Sequence, residues 1–226
     1  MTSTKAVKLT PRDLDVLRFI GENKAAPLDV VGPMFFAGNA DTGAANRDPL
    51  HACRRRLKAL ADAGYVELRG IRGQKAGQRT QAITLTRQAA DTLGAARPAL
   101  LHPKGRDHHM ATLRCVEQLR AQVSKRGAVV VSVALEHALR SAQQRGRGTQ
   151  RGETYASFPD AVVVVREPGG IEKRVALEYV TSKYTNQMIA EKANDFSAYD
   201  GTVWVADRVS TSRRVEALTG QSCSWL

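Results

Sequence analysis

Two acidic residues in the second half of the chain have the type and spacing that metal-dependent chemistry on phosphate requires. Asp160 directly precedes one apolar run, and Glu178 lies inside the next. If the two runs are adjacent strands of a small mixed sheet, both carboxylates are delivered to the same place. Hard cations take carboxylate oxygens and keep water for in-line attack on phosphate. Asp160 and Glu178 are therefore candidate catalytic residues and candidate ligands of Mg²⁺.

The same two carboxylates also have a purely structural interpretation. Asp160 could cap a turn, and Glu178 could pair with Lys173 or Arg174. Because a motif of two carboxylates is short, the sequence leaves both interpretations open.

A cationic segment occupies the first half of the chain. Residues 47–87 hold ten basic and three acidic residues, a net charge of +7, whereas residues 1–44 hold five of each. Apolar residues recur every three or four positions over 47–64, which predicts a helix with one face on a core. Two alternating segments, 65–69 and 81–85, flank a basic, Gly-rich tip and predict a two-stranded wing. A basic helix joined to a basic hairpin is typical of winged helix-turn-helix domains that bind DNA.

The expected DNA contacts fall into three groups. The predicted helix would face the major groove or its rims with Arg47, His51, Arg54, Arg55 and Lys58. The wing would reach backbone phosphates or the minor groove with Arg72, Lys75 and Arg79. A Gly/Arg-rich stretch, 143–152, predicted as a mobile loop or hairpin tip, would add Arg145 and Arg147. The alternative for each group is a solvated, charged surface.

The remaining periodicity predicts the elements that position these residues. In the first half, further helices are expected at 10–22, 27–36 and 86–93. In the second half, helices are expected at 108–125, 187–199 and 210–218, and strands at 129–135, 161–166, 174–180 and 202–206. The predicted class is α+β: a winged helix-turn-helix domain at 1–97, a linker at 98–103 and an α/β domain at 104–226.

Composition limits the kind of partner. With 42% hydrophobic and 25% charged residues the chain is an ordinary globular sequence, but its formal net charge of +12 favours a polyanion. No apolar run approaches the length of a membrane span and no secretory leader is apparent, so we expect a cytoplasmic protein without a membrane partner. The three cysteines lie far apart, which argues against disulfides and zinc, and the adjacent residues His108 and His109 cannot easily share one metal.

The order of elements around Phe158-Pro159-Asp160 and Leu177-Glu178 resembles the PD-(D/E)XK nuclease superfamily. The resemblance implies a restriction-nuclease-like fold in which the Asp and the Glu hold Mg²⁺ and a Lys two positions after the Glu assists the nucleophile. That position is Val180 in this chain. Lys183, and Lys192 on the next predicted helix, are the nearest replacements that the resemblance offers.

Across most of its length the chain is similar to the replication-relaxation family of plasmid and integrative-element proteins. The similarity is carried by Leu9-Thr10-Pro11-Arg12-Asp13, by Arg54-Arg55-Arg56-Leu57, by His108-His109 and by the segments around Asp160 and Glu178. It implies a winged helix joined to a nuclease-like domain, double-stranded DNA as ligand, and relaxase or replication proteins as partners. A homodimer on paired half-sites is expected from the winged helix.

Three functions follow as expectations. The first is sequence-specific binding of double-stranded DNA in plasmid replication, relaxation or mobilisation, with a degenerate nuclease-like second domain. The second is a Mg²⁺-dependent endonuclease that nicks or cleaves DNA. The third is a ligand-responsive transcriptional repressor, although the sequence shows no small-molecule motif.

Overall fold

The computed structural model of the chain describes residues 7–38, 45, 48–72, 79–94, 103–146 and 157–225. Side chains are described at these positions except 72, 79, 103, 104 and 144–146. The described residues combine helices with two β-sheets, which confirms the α+β class. They divide into two compact units, a first unit (Met1–Leu113) and a second unit (Arg114–Leu226).

The described part of the first unit consists of three helices, a β-hairpin and two further helical segments. Its elements are α1 (Pro11–Glu22), β1 (Ala26–Pro27), α2 (Leu28–Phe36), α3 (Pro49–Asp62), β2 (Val66–Arg72), β3 (Arg79–Leu85) and α4 (Arg87–Leu93), followed by α5 (Pro103–Ser124). The strands form an antiparallel sheet in the order β1-β3-β2, with Val66 opposite Leu85 and Ala26 opposite Ile83. The predicted helices and the hairpin of this unit are confirmed, and both hairpin strands are longer than predicted.

Local sequence explains where these helices begin. The Thr10 hydroxyl accepts a hydrogen bond from the Asp13 N–H, and the Asp13 carboxylate accepts one from the Thr10 N–H, which completes a capping box ahead of α1. Asp48 caps α3 in the same way, by accepting from the His51 N–H at 2.9 Å. Proline occupies the first turn of both helices, where no backbone donor is needed.

The core of the first unit sets how closely its helices pack. A Cβ atom added at Gly32 of α2 would lie 2.6 Å from the Leu50 side chain at the start of α3, so a larger residue here would require that side chain to move. The buried stripe of α3 consists of Cys53, Leu57 and Leu60.

The division between the units falls inside α5, not at the predicted linker 98–103. Helix α5 begins at Pro103, five residues before the predicted helix, and Met110 on it is fully buried in a cluster with Ala25, Ile71 and Ala82. The start of this helix therefore completes the core of the first unit. Residues 95–102, which include most of the predicted linker, lie outside the described part of the chain.

The second unit is built around a five-stranded sheet. After α5 its elements are β4 (Val129–Leu135), α6 (Glu136–Gly146), β5 (Ala161–Arg166), β6 (Glu172–Val180), α7 (Asn186–Asp195), a 3₁₀ turn (Phe196–Ala198), β7 (Gly201–Ala206), α8 (Val209–Thr219) and β8 (Cys223–Trp225). The strand order is β4-β5-β6-β7-β8; β4, β5 and β6 pair antiparallel, and β6, β7 and β8 pair parallel.

Burial explains the Val-rich sequence of β5, an inner strand of this sheet. Four of the six residues of β5 are at least 95% buried, as expected for an inner strand covered on both faces. One core cluster joins Ala176 and Val180 of β6 to Ile189 of α7, Trp204 of β7 and Val215 of α8. The mixed sheet and the helices α7 and α8 confirm the predicted order of these elements.

Two elements of the second unit were not predicted. The Gly/Arg-rich stretch was predicted to be a loop from residue 143, but α6 continues to Gly146; residues 147–152 lie outside the described part. An ion pair between Glu136 and Arg140, one helical turn apart, and the absence of any glycine or proline before Gly146 favour the helix. The short strand β8 was also missed, because three residues carry too little periodicity to be recognised.

Cys53, Cys115 and Cys223 are buried free thiols, and burial raises the pKa of Cys53 to about 12. No helix of the described residues has the length and apolar character needed to cross a bilayer.

Candidate functional site

Sheet pairing brings the two predicted carboxylates together. Ala161 at the start of β5 is opposite Leu177 of β6, so the preceding residue, Asp160, is adjacent to Glu178. The Asp160 N–H donates to Glu178 Oε2 at 3.1 Å, and the Tyr179 N–H donates to Asp160 Oδ2 at 2.8 Å. Each carboxylate is therefore held by the backbone of the strand that carries the other one. We call Asp160, Glu178 and Lys192 the carboxylate site.

Lys192 of α7 is the lysine that reaches this pair. Its Nζ lies 2.7 Å from Glu178 Oε1 and donates to the carbonyl oxygen of Phe158 at 3.2 Å. Glu178 is fully buried and the Lys192 side chain is 15% exposed. Lys183, the other predicted candidate, is exposed and makes no contact with either carboxylate among the described side chains. Val180, at the position expected for the lysine, is fully buried in the core cluster of α7 and α8.

Tyr184 contacts the carboxylate site, and the sequence did not indicate it. Its hydroxyl donates to Glu178 Oε1 at 3.0 Å, and its carbonyl accepts from the Arg214 guanidinium at 2.8 Å. The segment between β6 and α7 places this ring against β6, and the spacing of Glu178 and Tyr184 in the sequence does not indicate that contact. The ring also lies 5.9 Å from Lys192 Nζ, which adds a cation–π contact.

The electrostatics of the site favour the protonated form of Glu178 more than is usual for a carboxyl group. Burial and the neighbouring Asp160 raise the pKa of Glu178 to about 7, although Lys192 and Tyr184 act in the opposite direction. Burial and the two carboxylates hold the pKa of Tyr184 far above its ordinary range. A pKa raised by burial and a neighbouring carboxylate is common at functional sites.

Helix α6 starts beside the carboxylate site. The Glu136 N–H donates to the carbonyl oxygen of Asp160 at 2.9 Å. One turn later, the Arg140 guanidinium donates twice to Glu136 Oε1 and lies 5.6 Å from the centroid of the Phe158 ring. The sequence gave no sign of this contact between Arg140 and the residue two positions before Asp160.

The structural alternative for Glu178 was wrong in its choice of partners. Lys173 pairs with Glu167, and the Arg174 N–H donates to Asp200. Both lie nearer the start of β6, several residues from Glu178.

The donor set fits Mg²⁺ in chemistry and in number of carboxylates. Mg²⁺ is commonly bound by one or two carboxylates together with water and substrate phosphate, and Asp160 and Glu178 supply two. Within the described residues no group of three or more His, Cys, Asp or Glu side chains could hold a metal ion. Any metal here would therefore be held by Asp160 and Glu178 without a third His, Cys, Asp or Glu side chain of the described residues.

His109 has a structural role in the first unit. Its Nε2 lies 2.8 Å from the carbonyl oxygen of Asn23 and 3.3 Å from that of Ala25. Burial lowers its pKa, which favours the neutral ring donating to these acceptors.

A second candidate surface lies on α3. Four predicted DNA-contacting residues are exposed on this helix, away from its buried stripe of Cys53, Leu57 and Leu60: His51, Arg54, Arg55 and Lys58. We call these four residues the basic face of α3. One of them, Lys58, pairs at 3.3 Å with Asp62, but both side chains are more than 60% exposed and such a pair is weak.

Arg56, between these cations, faces another way. It pairs with Asp13 of α1 through two hydrogen bonds, of 2.8 Å and 2.5 Å, and donates to the carbonyl oxygen of Lys8 at 2.9 Å. Burial alone would raise the pKa of Asp13, but bonds from Arg56 and Thr10 outweigh it and hold the pKa below its ordinary value. Only two of the three consecutive arginines therefore belong to the basic face of α3.

The other predicted DNA contacts cannot be placed as side chains. The backbone positions of Arg72, Arg79 and Arg145 are in β2, β3 and α6, but their side chains lie outside the described part of the structure. Arg47, Lys75 and Arg147 lie outside it altogether.

Comparisons of the sequence and the structure with models of protein families, with curated proteins and with solved structures found no match.

Proposed function

We propose that the chain is a double-stranded DNA-binding protein whose first unit is a winged helix-turn-helix domain. The basic face of α3 is the observation that carries the proposal, because its four cationic or titratable side chains are exposed together while the opposite stripe fills the core. The element order α1-β1-α2-α3-β2-β3, with the sheet order β1-β3-β2, is what a winged helix requires.

The biological setting is a proposal that rests on sequence resemblance. Similarity to the replication-relaxation family favours a plasmid or integrative element, with action in replication, relaxation or mobilisation. Relaxase or replication proteins would be partners, and a homodimer would match paired half-sites on the DNA.

The test of DNA binding compares two double variants: one lacks two charges of the basic face, and the other lacks two charges elsewhere. The variant Arg54→Ala/Lys58→Ala should bind a fluorescein-labelled duplex about tenfold or more weakly than the unaltered protein, since each lost phosphate or base contact costs about 1 kcal/mol or more. The control is Lys125→Ala/Arg126→Ala, which removes the same charge from two exposed residues that follow α5. Equal affinity of the two variants in fluorescence anisotropy would refute the assignment of α3.

A second candidate function is Mg²⁺-dependent cleavage of DNA by the second unit. The favouring observation is the 2.7 Å contact of Lys192 with Glu178, which supplies from α7 the cation that the chain lacks at Val180. The strand order, antiparallel and then parallel, fits the expected restriction-nuclease-like fold.

In this candidate reaction one phosphodiester bond is hydrolysed by water, leaving one phosphate monoester end and one hydroxyl end. Asp160 and Glu178 would hold the metal, which when bound supplies Lewis acidity and lowers the pKa of a coordinated water molecule. Lys192 would orient the attacking water or neutralise charge on the phosphate. Tyr184 positions Glu178 through its hydroxyl group.

Nicking of supercoiled plasmid tests this candidate. With Mg²⁺ or Mn²⁺, the unaltered protein should convert supercoiled to open circular plasmid, and EDTA should stop the conversion. Asp160→Asn and Lys192→Met should lose the activity, whereas Lys183→Ala should keep it because Lys183 is exposed and apart from the carboxylates. Absence of nicking by the unaltered protein, or nicking that survives Asp160→Asn, would leave DNA binding as the function of the chain.

A further inference from the structure

A cavity in the first unit lies beside α3, next to the basic face of this helix. Its volume is about 660 Å³, and its walls come from the start of α1, the end of α2 and the middle of α3. This volume is within the range of about 300–1,000 Å³ typical of ligand sites. The side chains that decide its chemistry are Arg12, Asp13, Phe36, Arg55 and Arg56.

The charge of the cavity is positive after internal pairing. Asp13 is 1% exposed, and its carboxylate is neutralised by Arg56. Neither Arg12 nor Arg55 has a carboxylate partner among the described side chains. Two uncompensated guanidinium groups on one cavity disfavour a cation or a wholly apolar molecule and favour an anion.

Arg12 is held in place before any ligand arrives. Its guanidinium lies 5.2 Å from the centroid of the Phe36 ring and donates to the carbonyl oxygen of Gly38 at 3.3 Å. A guanidinium that is fixed in this way loses little side-chain entropy on binding, and its planar fork suits phosphate oxygens.

Arg55 connects the cavity with the basic face of α3. It lines the cavity and is also exposed on the helix that we propose to enter the DNA groove. A phosphate that contacts Arg12 and Arg55 would thus lie beside the helix, where the backbone of a bound duplex is expected.

We propose that this cavity is a phosphate-binding site formed by Arg12 and Arg55, with Phe36 as its apolar wall. The phosphate comes either from the DNA backbone, a source that rests on the proposed DNA binding, or from a free nucleotide. In the first case the site anchors the flank of α3 on the duplex, and in the second it is an effector site.

The test compares two arginines of the same helix. Arg12→Ala removes a cavity residue, and Arg18→Ala removes an arginine of α1 that is 64% exposed, lies outside the cavity and pairs only with Asp15 among the described side chains. Affinity for a labelled duplex is measured at several salt concentrations, and binding of adenosine 5′-monophosphate and of inorganic phosphate is measured by calorimetry. Because Arg12 also covers Phe36, Arg55→Ala serves as a second cavity variant and circular dichroism verifies folding.

Two results support the site and distinguish the sources of the phosphate. For a backbone phosphate, Arg12→Ala weakens duplex binding about tenfold and reduces the slope of log K against log salt by about 0.9, while Arg18→Ala does not. For a free nucleotide, both cavity variants abolish binding of the monophosphate and Arg12→Ala leaves duplex affinity unchanged.

A third result overturns the site: Arg12→Ala and Arg18→Ala behave alike towards the duplex, and neither the monophosphate nor inorganic phosphate binds. If Arg54→Ala/Lys58→Ala still weakens duplex binding in that case, the proposed function stands without this site. If the unaltered protein binds no duplex, the proposed function fails, and the calorimetry alone decides whether the cavity takes phosphate.

Discussion

Glu178 is the residue on which the chemistry proposed for the second unit depends. A fully buried carboxylate is costly unless it is paired and hydrogen-bonded, and Lys192, Tyr184 and the Asp160 N–H provide those interactions. Replacing such a group with a well-packed apolar one is often neutral for stability, so the ion pair is weak evidence of a role in folding alone. Its position next to Asp160 is what favours a chemical role.

Removing Lys192 should reveal the buried charge on Glu178. The pKa of Glu178 is raised to about 7 from an ordinary 4.5, so protonation of this group stabilises the folded state. This contribution to stability is fully present below pH 4.5 and is lost as the pH rises through 7. Lys192→Met removes a charge that lowers the pKa of Glu178, so in this variant the loss of stability continues to a higher pH. We expect Lys192→Met to destabilise the metal-free protein by about 3 kcal/mol at pH 8 and by much less at pH 5.

Urea unfolding in EDTA at both pH values measures this effect. The double variant Lys192→Met/Glu178→Gln is the control, and it should lack the added dependence on pH because the buried carboxyl group is gone. A cost for Lys192→Met that is the same at pH 5 and pH 8 would show that Glu178 does not titrate as the structure implies.

The sequence predicted the carboxylate pair but not the complete site. Asp160 and Glu178 could be found because each adjoins an apolar run, and antiparallel pairing then fixes their proximity. The lysine was left open between Lys183 and Lys192, since the distance from Lys192 to Glu178 is set by how α7 packs on β6. No sequence pattern predicted the contact of Tyr184 with Glu178, because the conformation of a five-residue loop determines the position of the tyrosine ring.

At the scale of elements, α1 and α3 are joined by an ion pair between the buried Asp13 and the half-buried Arg56. The Asp13 carboxylate also completes the capping box of α1, so the same side chain stabilises the start of α1 and binds Arg56 of α3. Loss of Arg56 would leave Asp13, which is 1% exposed, without its main partner.

We expect Arg56→Ala to lower the free energy of unfolding by about 2 kcal/mol at pH 7, because a nearly buried carboxylate loses its counter-ion. Arg54→Ala, two residues earlier on the exposed face, should change it by no more than about 0.5 kcal/mol. Since the pair holds the pKa of Asp13 below its ordinary 3.8, its stabilisation is present above that pH and is lost as the pH falls below it. Urea unfolding of both variants measures the difference, and equal costs would contradict the assignment of the two arginines.

Most elements were predictable because their apolar residues repeat with a clear period. The helix α1 also had its cap and proline in sequence, and the strands β5 and β6 had continuous apolar runs. Helix α6 was missed because glycine and arginine in the stretch that follows it suggested a loop, whereas the Glu136–Arg140 pair stabilises its first turns. The early start of α5 could not be seen, since it depends on Met110 packing against β2 and β3.

At the scale of the whole molecule, charge is distributed unevenly along the chain. Residues 47–87 carry a net charge of +7, and residues 152–226, with eight basic and ten acidic side chains, carry −2. Residues 102–151, with ten basic and three acidic side chains, also carry +7, so one cationic segment contains α3 and the hairpin and a second one precedes the carboxylates. Two cationic segments are in keeping with the proposed binding of a polyanion.

The measurement that tests the central claim is the affinity of the full chain for a duplex at two salt concentrations. Fluorescence anisotropy with a labelled 30-base-pair duplex, about 100 Å long at 3.4 Å per base pair, should give binding at 50 mM salt. If about four phosphates are neutralised, affinity should fall by about a hundredfold or more at 200 mM salt. A protein that leaves duplexes of varied sequence unbound even at the lower salt concentration would contradict DNA binding, and with it the function proposed for the basic face of α3.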